Sequence, residues 1–167
     1  MDSRDDRLAR AKKLRRESDT GAAAARLILL KLLEEYPDDA EILTDTAFVH
    51  DQLGQEAVAV GFYARALAKG VMNLPNREHV YLGLGSSLRV LGRYEDARAV
   101  LEKASGMFPE NTALKVFLAM VLHNLKDHAA AMRILLLIIA KGGENPDVKP
   151  YVEALEYYAD RLDRVWV

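Results

Sequence analysis

Four alanines, Ala25, Ala59, Ala97 and Ala131, return along the chain at intervals of 34, 38 and 34 residues. Four residues after each comes a large side chain: Leu29, Tyr63, Leu101 or Leu135. That spacing is one helical turn, on the same face. A second set of small residues, Ala47, Gly85 and Ala119, repeats at 38 and 34. Small residues at a fixed period let two helices cross closely where a bulky side chain would hold them apart. The recurrence therefore predicts helix hairpins repeated along the chain, each burying its apolar faces against its neighbours. Pro37 and Pro109 end their units, as a proline just past a helix should. The longer middle interval is explained by KGVMNLPN, between Ala68 and Arg77, where Gly70, Asn73, Pro75 and Asn76 form a loop. The loop is either a tolerated surface insertion or a flap that leans over a groove.

Composition narrows the functional classes. The chain has 167 residues, of which half are hydrophobic and 29% charged, an ordinary balance for one soluble domain. A net charge of −2 gives no global field that would draw nucleic acid or an anionic membrane. Without cysteine there is no disulfide, no thiolate nucleophile and no cysteine-based metal centre. The opening MDSRDDRLARAKK lacks an apolar core for a secretory signal, and the longest apolar run, 134–140, is far shorter than the ~20 residues of a membrane span. A cytoplasmic location is the expectation. Strand-like alternation is absent, so the expected fold is all-α.

The register gives units at about 4–37, 40–77, 78–111 and 112–143, with a capping helix from about 146 to 163, all in one domain over 1–167. In the first unit, Arg7, Arg10, Lys12, Lys13, Arg15 and Arg16 crowd one helix, and Leu8, Ala11 and Leu14 are its only apolar line. That helix reads as a solvated terminal cap, or as a docking surface for an acidic partner. Asp38 or Asp39 can cap the first helix of unit two, and Asn111 that of unit four. Gly54 and Gly92 make the turns of units two and three, and Lys126-Asp127 takes that place in unit four. The helix AAAMRILLLIIAK is apolar nearly all round and requires cover, which the tail is expected to supply. Any apolar surface left over, involving Ile134, Ile138 and Trp166, would favour a homodimer instead of a monomer.

Within 78–111, Tyr81, Leu84-Gly85, Leu88, Ala97, Leu101, Ala104 and Pro109 reproduce the spacing of a known 34-residue pattern. On these positions the chain resembles the tetratricopeptide repeat family. The stretches TDTAFVHDQLGQEAVAVGFYARAL and YLGLGSSLRVLGRYEDA resemble its bacterial group 5. The resemblance implies a right-handed α-solenoid of four helix hairpins plus a C-terminal capping helix, whose first helices line a concave groove. It also implies a scaffold that binds proteins or peptides, not an enzyme, with no cofactor.

Carried onto this chain, the family's groove positions form three columns. The first holds Glu17, Asp51, Arg89 and His123; the second Leu14, Phe48, Ser86 and Met120; the third Arg10, Thr44, Leu82 and Val116. An apolar strip of Phe48, Leu82, Val116 and Met120 would then lie beside a polar ladder and suit a peptide with apolar anchors. The alternative is that Asp51 and Arg89 pair with each other on a solvated face. The family's grip on a C-terminal carboxylate would need lysines and asparagines where this chain has Arg10, Leu14, Asp45, His79 and Gly83, so that mode is not expected. His50 falls at a packing position, and His123 and His128 are five apart, not the three or four that join two ligands on one helix. HExxH, GxSxG and a phosphate-binding glycine loop are all absent.

Overall fold

The computed structural model describes residues 2–75, 77–142 and 145–160. The described residues form helices and turns, with no strand. They fall into two compact units, residues 1–93 and 94–167.

The first unit holds α1 (Arg4–Glu17), α2 (Asp19–Glu35), α3 (Ala40–Gln52), α4 (Glu56–Lys69) and α5 (Glu78–Val90). Each helix packs on the next, and α3 also touches α1 and α5. Local chemistry sets the starts. Ser3 caps α1 in a reciprocal box with Asp6, Ser18 accepts from Gly21 N–H to start α2, and Asp39 accepts from the N–H groups of Glu41 and Ile42. Ala25 and Ala59 are fully buried. Leu8, Ala11, Ala22, Ala25, Leu29, Leu32, Ile42 and Val49 form one core cluster, with Leu14 partly buried against it. The apolar line of the basic helix is thus its packing face.

The second unit holds α6 (Tyr94–Met107), α7 (Thr112–Asn124), α8 (His128–Lys141), a 3-10 turn (Lys149–Tyr151) and α9 (Val152–Ala159). Here α6 packs on α7, α7 on α8 and α8 on α9. Ala97 and Ala131 are buried, as are Leu101, Ala104 and Ala119. Asn111 caps α7 and Asp127 caps α8. The tail helix starts later than expected, at Val152 instead of Pro146. Pro150 has no N–H to give to a carbonyl four residues back, so the segment makes a 3-10 turn first. The last residues expected in this helix, 161–163, lie outside the described ones.

The turns after α3, α5 and α7 share one geometry. In each, an amide reaches back to the carbonyl five residues earlier: Gln55 to His50, Arg93 to Leu88 and Asp127 to Leu122, all at 2.9 Å. The closure requires a left-handed residue. Gly54 (φ 68°) and Gly92 (φ 74°) supply it, and Lys126 adopts φ 70° in the third turn.

Candidate functional site

In the first unit, α1, α3 and α5 present side chains to a concave surface with two adjoining hollows. One, of about 360 Å³, is lined by Lys12, Arg15 and Arg16 of α1, Glu41, Thr44, Asp45 and Phe48 of α3, Leu74 and Pro75, and His79 of α5. The other, of about 380 Å³, is lined by Arg15, Phe48, Asp51, Gln52, Glu56, Tyr63, Ser86, Ser87 and Val90. Arg15 and Phe48 belong to both. The Arg15 guanidinium carbon sits 5.2 Å from the centre of the Phe48 ring, a cation–π arrangement.

The longer loop after α4 helps form the site. Gly70 ends α4 with φ 96°, Val71 is buried at 1% exposure, and Leu74 N–H donates to the Val71 carbonyl at 2.9 Å. Anchored in this way, the loop brings Leu74 and Pro75 to the first hollow.

The floor is held by a polar cluster. Asp51 Oδ2 accepts from the Tyr63 hydroxyl at 2.9 Å, and Asp51 Oδ1 lies 2.8 Å from the Ser87 hydroxyl. Tyr63 is fully buried and meets Phe48 edge-on, with ring centroids 5.8 Å apart. Its ring occupies space left open by Gly83, where a Cβ would fall 2.3 Å from the hydroxyl oxygen. One carboxylate thereby ties α3 to α4 and α5. Burial pushes the Asp51 carboxyl above the ordinary aspartate range; the Ser87 and Tyr63 hydroxyls oppose the shift, and Glu56 adds to it. Burial, then the Asp51 charge, raises the Tyr63 phenol.

The elevated Asp51 value sets a direction for pH. The folded chain favours the neutral carboxyl, so its stabilising share is complete below the ordinary aspartate value of about 3.9 and is lost as pH rises through the elevated one. Compared with the non-titrating Asp51→Asn variant, the natural protein should lose stability as pH rises above about 4. Urea unfolding of both proteins across that range measures this; a constant difference between them would contradict it.

Electrostatics also organises α1. Arg4 pairs with Asp39 at 2.7 Å and Glu41 at 3.0 Å, Arg7 with Glu35 at 2.6 Å, and Lys12 with Glu41 at 2.5 Å. Asp45, only 5% exposed, faces Lys12 at 3.4 Å and Arg15 at 3.8 Å. Burial still pushes its carboxyl upward, although both cations oppose this. The basic helix is thus largely matched from within. Among its six clustered cations, Arg10, Lys13 and Arg16 have no ion pair among the described residues.

The residues picked out by sequence divide accordingly. Thr44, Phe48, Asp51 and Ser86 meet at the two hollows. Leu82 and Arg89 stand half-buried on α5 but line neither hollow, and Arg10 is exposed on α1. Asp51 is held by hydroxyls and forms no ion pair with Arg89 among the described residues. Val116, Met120 and His123 are on α7 in the second unit, where Met120 is 38% exposed. Ile134 and Ile138 are half-buried; the large exposed apolar residues of α8 are Met132 and Ile139, and Trp166 lies outside the described residues. Sequence reasoning did not place Glu56, Tyr63 or Ser87 at a site, and named Asp45 and Gly83 only as departures from the carboxylate grip. The one available signal was a large Tyr63 and a small Gly83 on successive helices.

Two histidine readings have structural outcomes. His50 is 6% exposed, stacks on Phe62, and has Nδ1 2.6 Å from Gln55 Oε1, so it is a hydrogen-bonded core residue. His123 and His128 do come together, with Nδ1 atoms 3.1 Å apart. The spacing rule for a single helix did not apply, because the turn between α7 and α8 separates them. No cluster of three or more metal-ligating side chains is found among the described residues. No helix among them is long and apolar enough to cross a membrane.

A family model described as Tetratrico peptide repeat, of its group 5 type, matches residues 40–162, well over half of the chain. No curated protein matches it.

Proposed function

The chain belongs to the tetratrico peptide repeat family, and from that premise we propose that it is a protein-interaction scaffold whose α1–α3–α5 concavity holds a peptide segment of a partner. The observation that carries the reading is Phe48. A half-buried aromatic shared by two adjoining hollows and crossed by a guanidinium is the kind of anchor that dominates binding at such surfaces. The chain offers little for catalysis at this place: Asp51 is engaged by two hydroxyls, and Asp45 faces Lys12 and Arg15.

Photo-crosslinking tests the proposal. A benzophenone amino acid replacing Phe48 should capture a partner from the native cell lysate. The same group replacing Leu27, which is 60% exposed on α2 away from both hollows, should not. For the partner so identified, Phe48→Ala should weaken binding by about thirtyfold, the loss usual for an aromatic anchor. Equal capture from both positions, or affinity untouched by Phe48→Ala, would exclude the concavity as the binding face.

A further inference from the structure

The two hollows differ in charge. The first contains Lys12, Arg15 and Arg16 against Glu41 and Asp45, with His79 at its edge. Lys12 is satisfied by both carboxylates, whereas Arg16 has no ion pair among the described residues and Arg15 Nε is buried without a hydrogen-bond partner among them. This end has a cation to spare. The second hollow holds Asp51 and Glu56, and among the described residues its lining has no cation besides the shared Arg15, which pairs with Asp45 of the first. Glu56 has no ion pair among the described residues, and its charge bears on Asp51. That end has an anion to spare.

Two helices give the distance between the ends. Along α3 the two linings run from Glu41 to Gln52, and along α5 from His79 to Val90. Both spans are eleven residue steps, or about 16 Å at the helical rise. An extended peptide covers that distance in about five residues and turns every second side chain to the same face, so side chains four positions apart, separated by about 13 Å, fall within it with a third midway between them.

We infer that the concavity selects an extended segment with an acidic and a basic residue four positions apart and an apolar side chain midway between them. The acidic side chain enters the hollow of Arg16 and His79, the basic one enters the hollow of Glu56 and Asp51, and the apolar one rests on Phe48. The inference builds on the scaffold reading and gives it a chemistry. Arg16 and Glu56 discriminate between partners, and Phe48 supplies adhesion common to all of them.

Three labelled octapeptides test it by fluorescence anisotropy at low salt. They carry Glu and Lys, two Glu, or two Lys at positions four apart with a leucine midway, in an otherwise Gly/Ala background. The mixed peptide should bind about fivefold tighter than either like-charged one, the scale of an exposed charge pair, and lose that margin as salt is raised. Arg16→Glu should shift preference to the two-lysine peptide, and Glu56→Lys to the two-glutamate peptide. Because two peptides change in opposite directions, a merely unfolded variant cannot imitate the result. Equal binding of all three, preferences unchanged by the substitutions, or no binding of any at millimolar protein would overturn the inference. The scaffold reading fails separately, on the crosslink at Phe48.

Discussion

Replacing Tyr63 with alanine should destabilise the protein by about 3–5 kcal/mol, the usual cost of truncating a buried aromatic. The side chain is fully buried, so the change leaves a cavity against Phe48. It also removes a hydroxyl that donates to Asp51, leaving the Ser87 hydroxyl beside that carboxylate. Tyr63→Phe separates the two losses: the ring stays, and only the cost of the missing donor, about 1–2 kcal/mol, should appear. Gly83 provides the sharper test. A Cβ there lies 2.3 Å from the Tyr63 oxygen and 2.4 Å from Cζ, so Gly83→Ala should cost about 1–3 kcal/mol by overpacking. With Tyr63→Ala already present, the methyl enters vacated space and the added cost should vanish. Urea unfolding of the four proteins gives the cycle. Equal penalties for Gly83→Ala in both backgrounds would mean that ring and glycine are not complementary.

The second large effect is expected at Gly21. Its absent Cβ would fall 2.2 Å from the Leu14 carbonyl oxygen and 3.1 Å from the carbonyl carbon. These are backbone atoms of α1, so no side-chain rotation relieves the clash. Alanine must push α1 away from α2 at the point where Ala22 and Ala25 are fully buried. A loss of about 3 kcal/mol, the upper part of the overpacking range, is expected, with melting lowered by several degrees. Gly61→Ala is the control. It is also helical, but has nothing within 4 Å of its Cβ position, so it should gain up to about 1 kcal/mol from helix propensity alone. Similar melting temperatures for the two variants would refute the close approach.

The architecture was legible because packing repeats leave periodic traces. All four alanines that set the period are buried, and the residue one turn beyond is buried in Leu29, Tyr63 and Leu101 and half-buried in Leu135. Turn chemistry was legible too, since Gly54 and Gly92 take the left-handed conformation, as does Lys126 where the third turn lacks glycine. The site was harder to read. Phe48, Asp51 and Ser86, named from column positions, line the two hollows, but the columns could not say which partner Asp51 would choose. That depended on Ser87, 36 positions away, and on a tyrosine that only Gly83 admits. The fate of the α1 cations was hidden for the same reason: Arg7, Lys12 and Arg15 find partners 28 to 33 residues on. Charge counts carry no record of such pairing. His123 and His128 were separated by a rule valid within one helix, while a reversing turn brings them together.

The carboxylates Glu35, Asp39, Glu41 and Asp45 that meet the first helix act as a built-in decoy. A loose polyanion drifting past would have to displace them one by one, giving up as much attraction as it gained. A segment rich in arginine and lysine is thereby made unsticky toward indiscriminate ligands. Of its six clustered cations, Arg10, Lys13 and Arg16 keep no ion pair among the described residues.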